Sequence, residues 1–288
     1  MGTEMNGRTL VLVTGASRGF GRCVSEEFVR KVAPVNPITL VLIARSHAGL
    51  ENAASAIEEV ARGIPTASDV VVQQEALDLG DMDRLEGRLD DILAEIDPGR
   101  YSRAILVNNA GSLGHTAWAT ELPSLAALRS EMDFNVTSAN WLSSRFAAVF
   151  GARKIDKSKI SQGDDVPVLN TRDLSRNMVV NVSSLAALQE FEGWSGYCSG
   201  KAGRELFHRV LAAEQKTLGG LKVLNYAPGP MATDMSREIR SEETYEEEVR
   251  QGALIDPKVS AEKCVRLALC GRFATGAHVD FFDKEESG

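Results

Sequence analysis

Seven strand-length apolar runs alternate with helix-length segments along this chain, and no other feature limits its fold as much. The runs lie at 9–14, 39–44, 70–75, 104–108, 178–182, 222–226 and 277–281. They read as apolar nearly throughout rather than at every second position, the pattern of parallel strands covered on both faces. Helical stretches at 20–32, 48–61, 82–96, 125–150, 200–218 and 260–269 fill the gaps. Strand and helix in alternation predict an α/β fold: a doubly wound, seven-stranded parallel sheet with helices on both faces, in a single domain. Right-handed crossovers then bring the carboxyl ends of all strands to one edge, where ligands bind.

Composition narrows the function. A chain of 288 residues, 43% hydrophobic and 25% charged, can bury its apolar surface without covalent staples. Its net charge of −8 repels phosphate backbones and anionic lipid, which argues against nucleic-acid or membrane partners. Cys23, Cys198, Cys264 and Cys270 form no C-x-x-C pair, and with four histidines no zinc spacing arises, so no metal is expected. Reduced thiols and the absence of a basic-then-apolar leader in MGTEMNGRT suit a cytoplasmic protein. No apolar run approaches the ~20 residues of a membrane span. Residues 154–177, KIDKSKISQGDDVPVLNTRDLSRN, read as a polar insertion exposed between a helix and a strand. The acidic run SEETYEEE at 241–248 reads as a solvated helix face, or as a cover, since it follows a strand end.

The first strand runs into TGASRGFG at 14–21. Gly15, Gly19 and Gly21, with Ser17, Arg18 and Phe20 between them, fall in the turn from strand to helix. Glycines there permit a tight turn and close approach to a pyrophosphate, which the helix N-terminus attracts. This is a Rossmann-type dinucleotide site. An NAD site commonly carries an acid at the end of the second strand. Here that strand ends in Ala44, Arg45 and Ser46, and with Arg18 these suit a 2′-phosphate, so NADP(H) is expected. Asp78 and Leu79 close the third strand, where a carboxylate can accept from an adenine amino group. Asn109, Ala110 and Gly111 would floor the adenine and ribose, although such residues also form ordinary turns.

These motifs, followed by Asn135, NVSS at 181–184, Y-x-x-x-K at 197–201 and PGP at 228–230, resemble the short-chain dehydrogenase/reductase family in kind and order across almost the whole chain. On a helix, Tyr197 and Lys201 share a face. The ammonium is expected to lower the phenol pKa, so that Tyr197 can protonate the alkoxide left by hydride delivery to a carbonyl. The resemblance further implies that Tyr197 and Lys201 contact the cofactor. It also implies that Ser184, rather than the competing Ser183, polarises the carbonyl, and that Asn135 holds a relay water. Pro228, Gly229, Thr233 and Met235 would border the nicotinamide, and about 235–253 would cover the substrate. The helices at 125–150 and 200–218 would pair in a homodimer. Small residues around Tyr197, from Gly196 to Gly203, would let cofactor and a neighbouring helix come close.

Within the family, GWSGYCSGKAGRELFHRVLAAE, VLNYAPGPMATDM and GAHVDFFDK resemble members that reduce a pterin side-chain ketone. That likeness makes Asp280 the anchor of the pterin ring, with Ser184, Trp194, Tyr197, Cys198, Gly229 and Met231 lining the pocket. The alternative is another small ketone or aldehyde as substrate. QEFEGW at 189–194 departs from the usual pattern and sets Glu190 at the site mouth.

Overall fold

A computed structural model of the chain describes residues 7–152 and 176–284. All but the last two residues of the expected insertion at 154–177 lie outside the described residues. The strands are β1 (Arg8–Thr14), β2 (Ile38–Ala44), β3 (Val70–Ala76), β4 (Tyr101–Asn108), β5 (Met178–Val182), β6 (Lys222–Ala227) and β7 (His278–Asp280). They form one parallel sheet in the order β3-β2-β1-β4-β5-β6-β7. The order reverses between β1 and β4, which leaves a crevice beyond their carboxyl ends.

Alternate residues of β1 feed two cores. Val11 and Val13 pack with Phe28 of α1 (Gly19–Val32), Leu50 and Ile57 of α2 (His47–Arg62) and Val265 of α9 (Pro257–Cys270). Leu10 and Leu12 face α3 (Met82–Ala94), α5 (Ser138–Phe150) and α6 (Ser195–Leu218) through Leu89, Ile92, Phe146 and Leu211. Burying a Leu or Phe of this kind contributes about 1.5–3 kcal/mol, so the two layers together hold the strand ends in place. β3 differs from expectation: as an edge strand with the sequence VVVQQEA, it leaves Gln73, Gln74 and Ala76 exposed.

Two helix boundaries depart from the expected ones. The stretch 125–150 divides into α4 (Leu125–Met132), a π-helical segment (Asp133–Thr137) and α5. The helix expected from residue 200 starts at Ser195, which places Tyr197 in its first turn. The expected cover contains α7 (Asp234–Glu238) and α8 (Glu242–Arg250). Among the described residues, no helix is long and apolar enough to cross a membrane.

Candidate active site

The glycine turn is dictated by space. Gly15 and Gly19 have φ of 64° and 54°, left-handed values that favour glycine. At Gly21 a Cβ would lie 2.4 Å from the Gly15 carbonyl oxygen and 2.6 Å from Asn109 Nδ2. The first turn of α1 has no acidic residue, and the Arg18 side chain does not cap it. Its N–H groups therefore remain for an anion, so this turn fits a dinucleotide pyrophosphate. Phe20 is a correction to the sequence reading: its side chain is buried and stacks 6.2 Å from Tyr226, leaving only its backbone to the crevice.

Ser17 Cβ and Ser46 Oγ both border Gly49, so the glycine turn and the β2–α2 turn meet at one rim. Arg18 and Arg45, beside those serines, are exposed there. Ser46 caps α2 by accepting from Gly49 N at 3.1 Å, and Ala44 ends the buried strand. Arg18 Nη1 donates to Asp234 Oδ2 at 2.7 Å, a partner on α7 that sequence reading did not supply. Asp78 is exposed and turns Oδ1 onto Gly80 N at 2.9 Å. Leu79 is buried in the core, so it too offers only its backbone.

At the end of β4, Thr14 Oγ1 accepts from Asn109 N and Ala110 N, each at 2.9 Å. Asn109 Nδ2 donates to the Thr14 carbonyl at 2.8 Å, tying β4 to β1. A Cβ on Gly111 would stand 3.5 Å from Asn135 Oδ1 and 3.8 Å from Lys201 Nζ. The floor thus meets two of the expected catalytic residues. Asn135 lies in the π-helical segment, where Nδ2 donates to Ser112 O at 3.0 Å and Oδ1 accepts from Ser112 N at 2.9 Å. Such π segments often sit at functional sites, and this one explains an asparagine in mid-helix.

Tyr197 and Lys201 are both buried, with Nζ 5.6 Å from the centre of the tyrosine ring. Lys201 Nζ donates to Val182 O at 2.8 Å. Burial pushes the lysine well below its ordinary pKa, aided by the neighbouring Arg204 charge. Burial also raises the Tyr197 phenol, and this outweighs the opposing pull of a hydrogen bond with Ser184 and of the Arg204 charge. The expected lowering by Lys201 is therefore corrected: in the protein alone, desolvation wins and the phenol keeps its proton. Ser184 Oγ accepts from Ala186 N at 3.1 Å. Its rival Ser183 is buried and donates to Glu205 Oε2, which removes it from the site.

Leu113, Ala186 and Tyr197 form a small apolar cluster with Trp194, Cys198, Met235 and Ile239. Trp194 meets Tyr197 edge-on at 5.8 Å. Met235 and Ile239 bring α7 over this cluster. Ion pairs Arg237–Glu242 and Arg240–Glu248 and the Arg237–Tyr245 stack, at 4.1 Å, fasten α7 to α8. Thr233 Cγ2 lies 3.7 Å from where a Gly19 Cβ would be, so the segment after β6 reaches the glycine turn. Pro228 is buried with its carbonyl held by Ser260 Oγ at 2.9 Å, and Gly229 has φ 77°. Met231, expected in the substrate pocket, packs instead against the α1–α9 core. Asp280 Oδ1 accepts from Phe282 N at 2.9 Å, and Lys263 Nζ holds the Asp280 carbonyl at 3.0 Å. Glu190 is exposed. Gly196 and Gly200 closely border Glu131 and Asn135, whereas Gly203 faces open space.

Fold and crevice together define a class: doubly wound α/β proteins that bind their ligand at the switch point of the sheet. The chain belongs to the short chain dehydrogenase family, whose model matches residues 9–156 and 168–244, and it is an oxidoreductase acting on CH–OH/C=O groups. It is 35% identical to sepiapterin reductase of Xenopus tropicalis, over 96% of this chain and 97% of that protein. It is 28% identical to the benzil reductase ((S)-benzoin forming) of Bacillus subtilis strain 168, over 81% of this chain and 78% of that protein. A candidate NAD(P)-dependent gluconate 5-dehydrogenase from Beutenbergia cavernae, solved with bound NADP, shares the fold at a TM-score of 0.70 and 22% identity, over 96% of each chain.

Proposed function

We propose that this chain is an NADPH-dependent reductase of a pterin side-chain ketone, a sepiapterin reductase serving tetrahydrobiopterin synthesis. The carrying observation is the convergence of Ser184, Tyr197 and Lys201 beside the Gly111 floor, in a chain 35% identical to a sepiapterin reductase along 96% of its length. When bound, NADPH supplies the hydride. The glycine turn receives its pyrophosphate, and Arg18, Arg45 and Ser46 receive its 2′-phosphate. Asp78, Leu79 and the 109–111 floor border the adenosine; Pro228, Gly229, Thr233 and Met235 border the nicotinamide. Ser184 accepts from Ala186 N and is hydrogen-bonded to Tyr197; when substrate binds, its rotatable O–H donates to the substrate carbonyl. Tyr197, protonated at neutral pH, delivers its proton as negative charge grows on that oxygen. Lys201 has further N–H to donate beyond the Val182 bond, and Asn135 organises the proton path behind it. The whole chain works as a single NADP-binding unit, with 154–177 as a polar insertion and 235–253 as the substrate cover. It acts in the cytoplasm as a homodimer paired through the long helices, whose flank exposes Leu206 and Val210.

Cofactor choice is tested at the rim. Arg45→Glu sets a carboxylate against the 2′-phosphate and should lower the preference for NADPH over NADH by about 10–100-fold, the worth of a charge-assisted hydrogen bond. Paired steady-state titrations with the two cofactors read this directly; an unchanged preference would remove Arg45 from the site.

Substrate choice is tested at Asp280. A carboxylate matches the adjacent N–H donors of a pterin ring. Asp280→Asn keeps an oxygen for Phe282 N but loses the charge. KM for sepiapterin should rise about 10–100-fold, with KM for benzil unchanged. The second reading, a reductase of small apolar ketones, is favoured by the Leu113–Trp194–Tyr197 cluster and by the benzil reductase likeness. Efficient benzil turnover beside poor sepiapterin turnover would establish it.

A further inference from the structure

Arg204 is 1% exposed, yet among the described residues no carboxylate pairs with it. Its acceptors are all neutral. Nε donates to Asn181 Oδ1 at 2.6 Å, Nη1 to the Ala110 carbonyl at 2.8 Å, and Nη2 to the Asn108 carbonyl. Two of these are backbone carbonyls, one on the last residue of β4 and one on the cofactor floor just beyond it. A buried amide would satisfy them at lower cost, because a buried charge without a counter-ion is expensive to desolvate. The neighbouring acid, Glu205, is turned away: it accepts from Ser183 and from His278 Nδ1 at 2.8 Å. Tyr197, Lys201, Arg204 and His208 are all buried and recur at helical spacing along one face of α6.

We infer that Arg204 is a positioning residue for carbonyl reduction: it pins the Asn108–Ala110 floor to the face of α6 that bears Tyr197 and Lys201, and it keeps a fixed positive charge behind that pair. The inference rests on Tyr197 being the proton donor. Two features of the surroundings agree. Asn181 passes the contact on, donating from Nδ2 to Asn225 Oδ1 at 2.9 Å, so the guanidinium is braced from β5 and β6 as well as β4. Its charge favours the deprotonated forms of both Tyr197 and Lys201. Other titratable groups packed nearby are Glu205, His208 and Cys198 on α6, Glu131 of α4 with its partner His115, and His278 and Asp280 of β7. His208 is buried with Nε2 on Ser143 Oγ and stays neutral. All of these are common to the variants compared below.

The test is the pH profile of kcat/KM for ketone reduction, with NADPH affinity measured alongside. Reduction needs the protonated phenol, so activity falls as pH rises through its pKa. Removing a cation raises that pKa. Arg204→Gln should therefore move the alkaline limb up by roughly one pH unit, the order of effect of removing one nearby buried charge. NADPH binding should weaken several-fold. Arg204→Lys, which keeps the charge but not the fork, should leave the limb in place while also weakening NADPH. Asn181→Asp gives the guanidinium a counter-ion without removing it; it should move the limb upward too, and it serves should Arg204→Gln not fold. A limb that stays put in both Arg204→Gln and Asn181→Asp, or in whichever of them folds, overturns the charge effect. Unaltered NADPH affinity in the Arg204 variants overturns the pinning. Undiminished turnover in Tyr197→Phe would instead sink the proton-donor reading itself, so the two failures are separable.

Discussion

Tyr197→Phe should lower kcat/KM for ketone reduction by about 10²–10⁴-fold, the usual contribution of a positioned general acid, while leaving NADPH affinity close to that of the parent. The substitution removes one oxygen and no packing. The ring stays against Trp194 and under Lys201, and the Lys201 hydrogen bond to Val182 does not involve the phenol. Stability should change little, since the lost hydroxyl's hydrogen bond is with Ser184, which still accepts from Ala186 N. The pattern to look for is therefore a collapse of rate with binding and melting temperature intact. A fall in binding parallel to the fall in rate would mean that the phenol holds the cofactor rather than the proton.

Gly21→Ala should be the most damaging single methyl at the cofactor end. The new carbon would sit 2.4 Å from the Gly15 carbonyl oxygen and 2.6 Å from Asn109 Nδ2. The carbonyl belongs to the backbone of the turn, and Asn109 is tied to Thr14, so neither can yield without moving the loop that receives the pyrophosphate. Overpacking of this sort costs about 1–3 kcal/mol of stability. NADPH affinity should drop by about tenfold or more, because the helix N-terminus is displaced from the anion. Gly203→Ala is the matched control. Nothing lies within 4 Å of its added carbon, and it sits in the middle of α6, where alanine is favoured over glycine by about 1 kcal/mol. It should be neutral or stabilising. Melting curves with and without NADPH distinguish the two; equal behaviour would refute the spatial account of the turn.

Much of this site was legible in the sequence because its parts are local. A glycine turn after a strand, an Arg in place of an acid after the next strand, and Tyr and Lys one helical turn apart each carry their chemistry within a few residues. All seven strands fell within three residues of their expected ends; the buried ones, such as β1 and β2, announce themselves by unbroken apolar runs. What was not legible depends on tertiary surroundings. Nothing near Arg204 marks it as buried; only the fold brings the Asn108 and Ala110 carbonyls to it. The Arg18–Asp234 pair joins residues 216 positions apart. Tyr197 was expected to be acidified by Lys201, but the depth of the pocket, invisible in the sequence, sets the sign. Phe20, Leu79 and Met231 carry apolar side chains that could be read as ligand contacts or core, and the packing made them core. The start of α6 was missed because its first turn, Ser-Gly-Tyr, has weak helix propensity and no side-chain cap.

The central claim is that this crevice moves a hydride from NADPH to a pterin side-chain ketone and a proton from Tyr197 to its oxygen. The most direct measurement is single-turnover reduction of sepiapterin with NADPH carrying deuterium at both C4 positions, followed by mass and NMR analysis of the product. One deuterium should appear on the former carbonyl carbon in the parent enzyme, and the same product should form about 10²–10⁴-fold more slowly in Tyr197→Phe. Unlabelled product, or labelled product formed equally fast without the phenol, would contradict the claim.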